Sequence, residues 1–259
     1  MDKSQVLAQF DAEMRAQPEI YGSDRVERVG PIVRVIGTHN WITYSRLDPS
    51  TVKAAVAGQT AFFRSLSQEV EWKVYQHDLP PDLGDHLRAA GFVPDPTETL
   101  MALDLSEPLR PGSGSFGVEV HRVTDIAGLS AAAAVSEEAF GKGKGWSREE
   151  FLPRLADPSF GLFVAYSERR PVSAGRLELP PGRAFASLWG GGTSPAYRGR
   201  GIYRALVAAR AAAARGLGYH YLTVDALPTS RPILARLGFV PLTNITGWVL
   251  KPPSAIGPS

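Results

Sequence analysis

The chain of 259 residues contains no cysteine, which excludes disulfides, zinc thiolates and cysteine catalysis together. It has no apolar run approaching the roughly 20 residues that a bilayer-spanning helix requires. It also lacks an excess of either charge. With 28 Lys and Arg against 26 Asp and Glu, the formal net charge is +2, a balance that argues against broad electrostatic binding to nucleic acid or to a membrane surface. No low-complexity tract dominates. The opening residues Met1-Asp2-Lys3-Ser4-Gln5 lack the apolar core of a signal peptide, so the expectation is a soluble, cytoplasmic protein. No metal site is expected.

Hydrophobic residues make up 44% of the chain, enough for real cores, and the length suggests one or two domains. The clearest interruption is Pro108-Leu109-Arg110-Pro111-Gly112-Ser113-Gly114-Ser115, whose composition has little to bury. The two sides of it look alike. Val70 to Asp78 reads as a strand, followed by Pro81, a helix and Gly91-Phe92-Val93-Pro94. Tyr219 to Asp225 reads as a strand, followed by Pro228, a helix and Gly238-Phe239-Val240-Pro241. A constant offset of 147, the separation of Gly91 and Gly238, also pairs Asp78 with Asp225 and Leu87 with Leu234. Two related halves are one reading; chance similarity of two strand–helix–strand units is the other.

The most informative stretch is Tyr197-Arg198-Gly199-Arg200-Gly201-Ile202-Tyr203. It closes a predicted strand ending in Gly190-Gly191-Gly192-Thr193-Ser194-Pro195 and opens an alanine-rich helix that stops at Gly216. A helix start leaves about four backbone N–H groups without internal partners. Glycines there admit a phosphate close to those groups, and the dipole favours its charge. The stretch therefore reads as a diphosphate cradle. The offset sets Thr51-Val52-Lys53-Ala54 opposite Arg198–Gly201, so the N-terminal half has the helix without the glycines. The glycine run at 190–192 marks either close approach by a ligand or a β-bulge.

Pro195, Arg198, Gly201 and Ile202, together with the downstream Leu237-Gly238-Phe239, resemble the acetyl-CoA loop and the Leu-Gly-Phe turn of the GCN5-related N-acetyltransferases (GNAT). The resemblance covers about Ala186 to Val240, and more weakly back to Val118. It implies an α/β (α+β) fold of two tandem GNAT-like mixed sheets flanked by helices, the second one intact. The divisions expected are a degenerate domain at 1–108, a linker at 109–116 and an acetyltransferase domain at 117–259. It also implies acetyl-CoA as co-substrate, with Gly192, Thr193 and Ser194 pairing with the pantetheine arm. The diphosphate would fall to Arg198, Gly199, Arg200, Gly201, Ile202 and Tyr203. Arg198 and Arg200 are the side chains expected near phosphates, unless they only flank a tight turn. The family usually has Gly or Ala where this chain has Tyr203, a residue that either packs beside the donor or restricts the loop.

Direct attack of an amine on a thioester needs a base, a polar group for the developing oxyanion, and an acid for the thiolate. Leu234 and its counterpart Leu87 stand where the family often has a Tyr acid. The candidates left are Glu178 as base or as a salt-bridged carboxylate, Asp225 as proton acceptor or turn residue, and Ser230 or Tyr203 as thiol donor. His220 alternates away from Asp225. Trp146, after Gly141-Lys142-Gly143-Lys144-Gly145, belongs to an acceptor-site loop or anchors packing. The expected activity is acetyl transfer to the amine of a small molecule or peptide, by a monomer or homodimer. The alternative is a non-catalytic acyl-CoA-binding regulatory or scaffolding module. A third reading, RNA binding by the arginines, lacks a basic patch interleaved with aromatics.

Overall fold

The computed structural model describes residues 1–20, 22–107, 109, 117–141 and 146–252. Most of the linker and the loop residues Lys142–Gly145 fall outside the described residues. The chain divides into two compact units, Met1–Leu100 with Leu242–Ser259, and Met101–Pro241.

Unit 1 begins with α1 (Lys3–Phe10), capped by the Asp2 carboxylate on the Ser4 and Gln5 N–H groups, and a π-helical turn at Asp11–Arg15. Strands β1 (Arg25–Val29), β2 (Ile32–Ile36) and β3 (Trp41–Ser45) form an antiparallel meander. Helix α2 (Val52–Ser65) then crosses over, and β4 (Val70–Tyr75) returns parallel to β3. After α3 (Leu83–Ala89) come β5 (Val93–Pro94) and β6 (Glu98–Asp104). The core of unit 1 is built from alternate strand residues such as Ile32, Ile42 and Trp72, with Val52, Val56 and Phe63 of α2 laid over them.

In unit 2, β7 (Glu119–Arg122) leads to α4 (Ile126–Phe140), where Asp125 accepts from the Gly128 N–H at 2.8 Å. Ser147 likewise caps α5 (Arg148–Phe151). The α-helix stops before Pro153, which has no N–H to donate, and continues as a 3₁₀ turn. Strands β8 (Phe160–Ser167), β9 (Arg170–Glu178) and β10 (Phe185–Thr193) are antiparallel neighbours. Glu168 and Arg169, both at positive φ, form the tight turn between β8 and β9. A 3₁₀ turn at Pro195–Tyr197 precedes α6 (Ile202–Gly216), after which β11 (Tyr221–Ala226) pairs parallel to β10. The chain closes with α7 (Arg231–Arg236) and β12 (Val240–Leu250).

The α/β class and the repeated mixed-sheet plan agree with the sequence. Both halves run as an antiparallel meander, a crossover helix, a parallel strand and a short helix. The local match at the offset of 147 is close: Gly91 and Gly238 have φ of 96° and 101°. Phe92 N–H bonds the Leu87 carbonyl as Phe239 N–H bonds that of Leu234, and all four side chains are buried. The compact units nevertheless differ in extent from residues 1–108 and 117–259. Residues 245–250 of β12 pair with β4 and lie in unit 1. Met101, Leu103 and Leu105 lie in the core of unit 2. Linker composition shows where the chain has nothing to bury, whereas strand pairing is non-local.

Candidate functional site

The geometry of β10 decides what its glycines do. Leu188 pairs with Leu177 and Trp189 with Arg176, but Gly192 pairs with Ala174, so one extra residue is accommodated at Gly190-Gly191. That is a β-bulge, with Gly190 at φ 54°. The glycines also make room. A Cβ on Gly191 would lie 3.0 Å from the Tyr203 ring, and one on Gly192 would lie 2.8 Å from Ala139 and Phe140. A Cβ on Gly190 would meet Trp146 at 3.0 Å, so Trp146 is a packing anchor.

On its other edge, β10 pairs with β11 only at Phe185, Ala186 and Ser187. Both strands continue, β10 to Thr193 and β11 to Ala226, without further register. The two therefore part after Ser187, leaving main-chain groups of β10 without a strand partner. Ser194 N–H donates to Val172 O at 2.9 Å, on the β9 side. Alternation puts the Gly192 amide on that side too and the Thr193 amide on the open edge. Of the three residues expected to meet a pantetheine arm, Thr193 has the open amide. The Ser173 hydroxyl contacts Gly192 O at 2.7 Å and Thr193 Oγ1 at 2.9 Å, while the buried Ser194 hydroxyl has no hydrogen-bond partner among the described residues.

Beyond the open edge, Gly199 and Gly201 have φ of 76° and 79°, the left-handed region that glycine enters without strain. The two turns they make aim the chain into α6. Arg204 and Ala205 N–H groups bond Gly201 O. Among the described residues, the N–H groups of Gly199, Arg200, Gly201, Ile202 and Tyr203 meet no protein acceptor. The corresponding start of α2 is partly filled. Thr51 and Val52 N–H groups bond Asp48 O, and the Ser50 N–H and hydroxyl bond the Asp48 carboxylate.

The side chains of the cradle divide. Arg198 turns inward: Nε donates to Thr193 O at 3.1 Å and Nη2 to Ala139 O at 3.0 Å. It ties the end of β10 to the last turn of α4, where carbonyls lack helical partners. Two of its guanidinium nitrogens therefore brace the cradle from the protein side. Arg200 is exposed, 5.1 Å from the Tyr197 ring centroid. Ile202 is buried beside Ala165 and Val172 and anchors the first turn of α6.

Leu177, Leu188, Leu222 and Val224 face the core beneath α6, so Glu178, Ser187, Thr223 and Asp225 project from the opposite face. Glu178 pairs across from Ser187, at the point where β10 and β11 part. Its carboxylate is held by Arg154 at 2.6 Å and lies 3.8 Å from Arg176. Asp225 lies inside β11 and is half-buried, not in a turn. With β10 between their strands and Asp225 two residues beyond Thr223, the level of Glu178, the two positions are roughly 12 Å apart in the sheet and flank the parting without forming a pair. Ser230 donates its hydroxyl proton to Leu227 O at 3.1 Å. Leu234 is fully buried in the core, and His220 is exposed.

Sequence reasoning missed Arg210. It is fully buried on the inner face of α6 and donates from Nε to Leu206 O at 3.2 Å and from Nη1 to Arg176 O at 2.9 Å. Nη2 is buried beside the Tyr203 phenol and has no other hydrogen-bond partner among the described residues. Burial pushes the guanidinium down to about 10, against the opposing effect of Tyr203. Burial also raises the Tyr203 phenol above the usual tyrosine value, with Arg210 acting the other way. In a helix of alanines and arginines nothing distinguishes a buried arginine from an exposed one, except its phase with Leu206 and Val207. Among the described residues no group of acidic or histidine side chains is arranged to hold a metal, and no helix is long and apolar enough to cross a membrane.

Unit 2 thus combines an antiparallel meander, a parted parallel strand pair and a glycine-turned helix start. Residues 130–239 match the model of the Acetyltransferase (GNAT) family. The fold of the chain is similar to that of a GCN5-related N-acetyltransferase from Kribbella flavida, at 16% identity over 98% of this chain and 95% of that one, with a TM-score of 0.67. It is also similar to a tandem GNAT protein from the clavulanic acid biosynthesis pathway, at 14% identity over 99% and 95%, with a TM-score of 0.61. A GCN5-related N-acetyltransferase from Sphaerobacter thermophilus is 14% identical over 95% and 84%, with a TM-score of 0.63. At such identities the likeness is one of fold. No curated protein matches the chain by sequence.

Proposed function

We propose that the protein is an acetyl-CoA-dependent N-acetyltransferase that moves an acetyl group to an amine by direct attack on the thioester. The observation that supports this most is the run of five main-chain N–H groups, Gly199 to Tyr203, without protein acceptors among the described residues. They stand at a helix start directly beyond a parted strand. Charge-assisted hydrogen bonds contribute about 1.5–3 kcal/mol each. Three or four to a diphosphate therefore reach the roughly 8 kcal/mol of micromolar binding. The Thr193 amide and the rest of the open edge of β10 would take the pantetheine amides, and Arg200 is the exposed cation nearest the helix start. The thioester, when bound, supplies the activated acyl carbon. Asp225, half-buried in β11 beside the parting, and Glu178, held by Arg154, are the carboxylates nearest the reacting groups in this reading.

In this reading residues 1–108 are a degenerate copy joined by a linker at 109–116 to a working half at 117–259. The Asp48 carboxylate and the filled Thr51 and Val52 N–H groups disfavour an anion at the start of α2, and that segment lacks the glycines of the cradle. The acceptor is the amine of a small molecule or peptide.

Calorimetry with acetyl-CoA tests the assignment: binding in the micromolar range is expected, and no heat of binding at millimolar donor overturns it. Gly201→Glu places a carboxylate and a strained backbone at φ 79° and should abolish binding. Arg198→Ala should weaken it by about tenfold through loosening of the cradle.

A second reading, a non-catalytic acyl-CoA-binding module, is favoured by one observation: the buried Leu234 at the place of the usual acid. Thiol release from acetyl-CoA across a panel of amines separates the two, and any turnover excludes the module.

A further inference from the structure

The acid that leucine displaces from position 234 has a candidate elsewhere in unit 2, and the buried charge of Arg210 points to it. A guanidinium removed from water costs several kcal/mol unless an anion or a full set of acceptors meets it. Arg210 has two carbonyls, no carboxylate within ion-pairing distance among the described residues, and one buried nitrogen left over. The fold makes room for this costly group. A Cβ on Gly175 would lie 2.5 Å from Nη1, and one on Gly191 would lie 3.2 Å from Nη2. The same Cβ on Gly191 would be 3.6 Å from the Tyr203 hydroxyl. Phenol and guanidinium thus share one space beneath the bulge of β10, on the strand whose open edge begins at Ser187. A phenol there can accept from Nη2 through a lone pair and keep its own proton for another acceptor.

We propose that Tyr203 is the proton donor to the departing thiolate and that Arg210 is its positioning residue, orienting the phenol and stabilising the phenolate left behind. The inference rests on the acetyl-transfer reading of the cradle. In the step, the amine lone pair forms the C–N bond at the thioester carbonyl carbon, and the C–S bond breaks with its electrons on sulfur. The phenol proton passes to that sulfur. The proton shed by the attacking nitrogen, taken up by a base and carried through water, restores the phenol. Burial keeps the phenol protonated at neutral pH, and the cation offsets what burial would cost the phenolate. General acids of this kind contribute about 10²–10⁴ in rate.

The test is thiol release from acetyl-CoA across an amine panel, with donor affinity measured in parallel by calorimetry. Tyr203→Phe should lower kcat about a hundredfold and leave the acetyl-CoA Kd within twofold. Wild type should lose activity as the phenol ionises, at a pH above the usual tyrosine range, and Tyr203→Phe should lack that limb. Arg210→Met should keep or raise the melting temperature, because it removes a buried charge that no carboxylate meets among the described residues, yet lower kcat at least tenfold; Arg210→Lys should retain more. Tyr203→Phe at wild-type kcat overturns the inference while the transferase stands. Donor binding without thiol release from any amine also overturns it. Absence of donor binding removes the cradle assignment itself.

Discussion

Gly175 shows how a single hydrogen sets what a core can hold. Its missing Cβ is the space that Arg210 fills, so Gly175→Ala forces the guanidinium against the sheet. Overpacking of this kind costs about 1–3 kcal/mol, and a urea midpoint lowered to match, with an unchanged slope, is the expected result. In the double variant Gly175→Ala, Arg210→Met, most of that loss should disappear. At this scale the sequence shows which residues are special more clearly than it shows their direction. The glycines at 190–192, 199 and 201 are visible because only glycine tolerates such crowding or such φ. Arg198 stands out by its spacing, yet spacing cannot reveal that its guanidinium turns back onto Thr193 and Ala139. Arg210 is hidden altogether, since its burial follows from which face of α6 meets the sheet.

Among the elements, the π-helical turn after α1 carries the densest charge network of unit 1. It brings Asp11 and Arg15 to one side, where Arg15 Nη2 donates to both carboxylate oxygens of Asp78 at 2.7 Å and Nη1 to Asp11 at 2.8 Å. The Tyr75 ring lies 3.7 Å from the guanidinium, and His77 is 2.7 Å from Asp11. Burial pushes the Asp78 carboxyl up, with Arg15 opposing. Arg15→Ala therefore strands a buried carboxylate, a loss of about 3–5 kcal/mol at neutral pH. The loss should shrink as the pH falls and Asp78 takes up a proton, and chemical denaturation at pH 7 and pH 5 compares the two. The strand–helix–strand repeat is readable in the sequence because glycine, phenylalanine and leucine recur at one offset. The π-helical turn is not, since its network joins Arg15 to residues more than sixty positions away.

At the scale of the molecule, the bounds of the compact units separate stability from sequence order. A fragment of residues 117–259 lacks Met101, Leu103 and Leu105, each buried in the core of unit 2. Burying an aliphatic side chain is worth about 1.5–3 kcal/mol, so their joint loss is comparable to the stability of a whole domain. That fragment should be unfolded or aggregated, while residues 98–241 should show a cooperative melt by circular dichroism. The composition of the linker gives no hint of this, because it reports only on the residues it contains.

The pairing of β12 with β4 joins Ile245 to Tyr75 and Leu250 to Val70. During synthesis, β4 leaves the ribosome long before its partner does. At about 5–20 residues per second, the N-terminal unit waits on the order of ten seconds or more for its last strand. Until then Trp72 and its neighbours stand at an open sheet edge, the kind of surface that invites pairing with another chain. The unit made first is the one completed last, and a ribosome that stalls late in the message would release it unfinished.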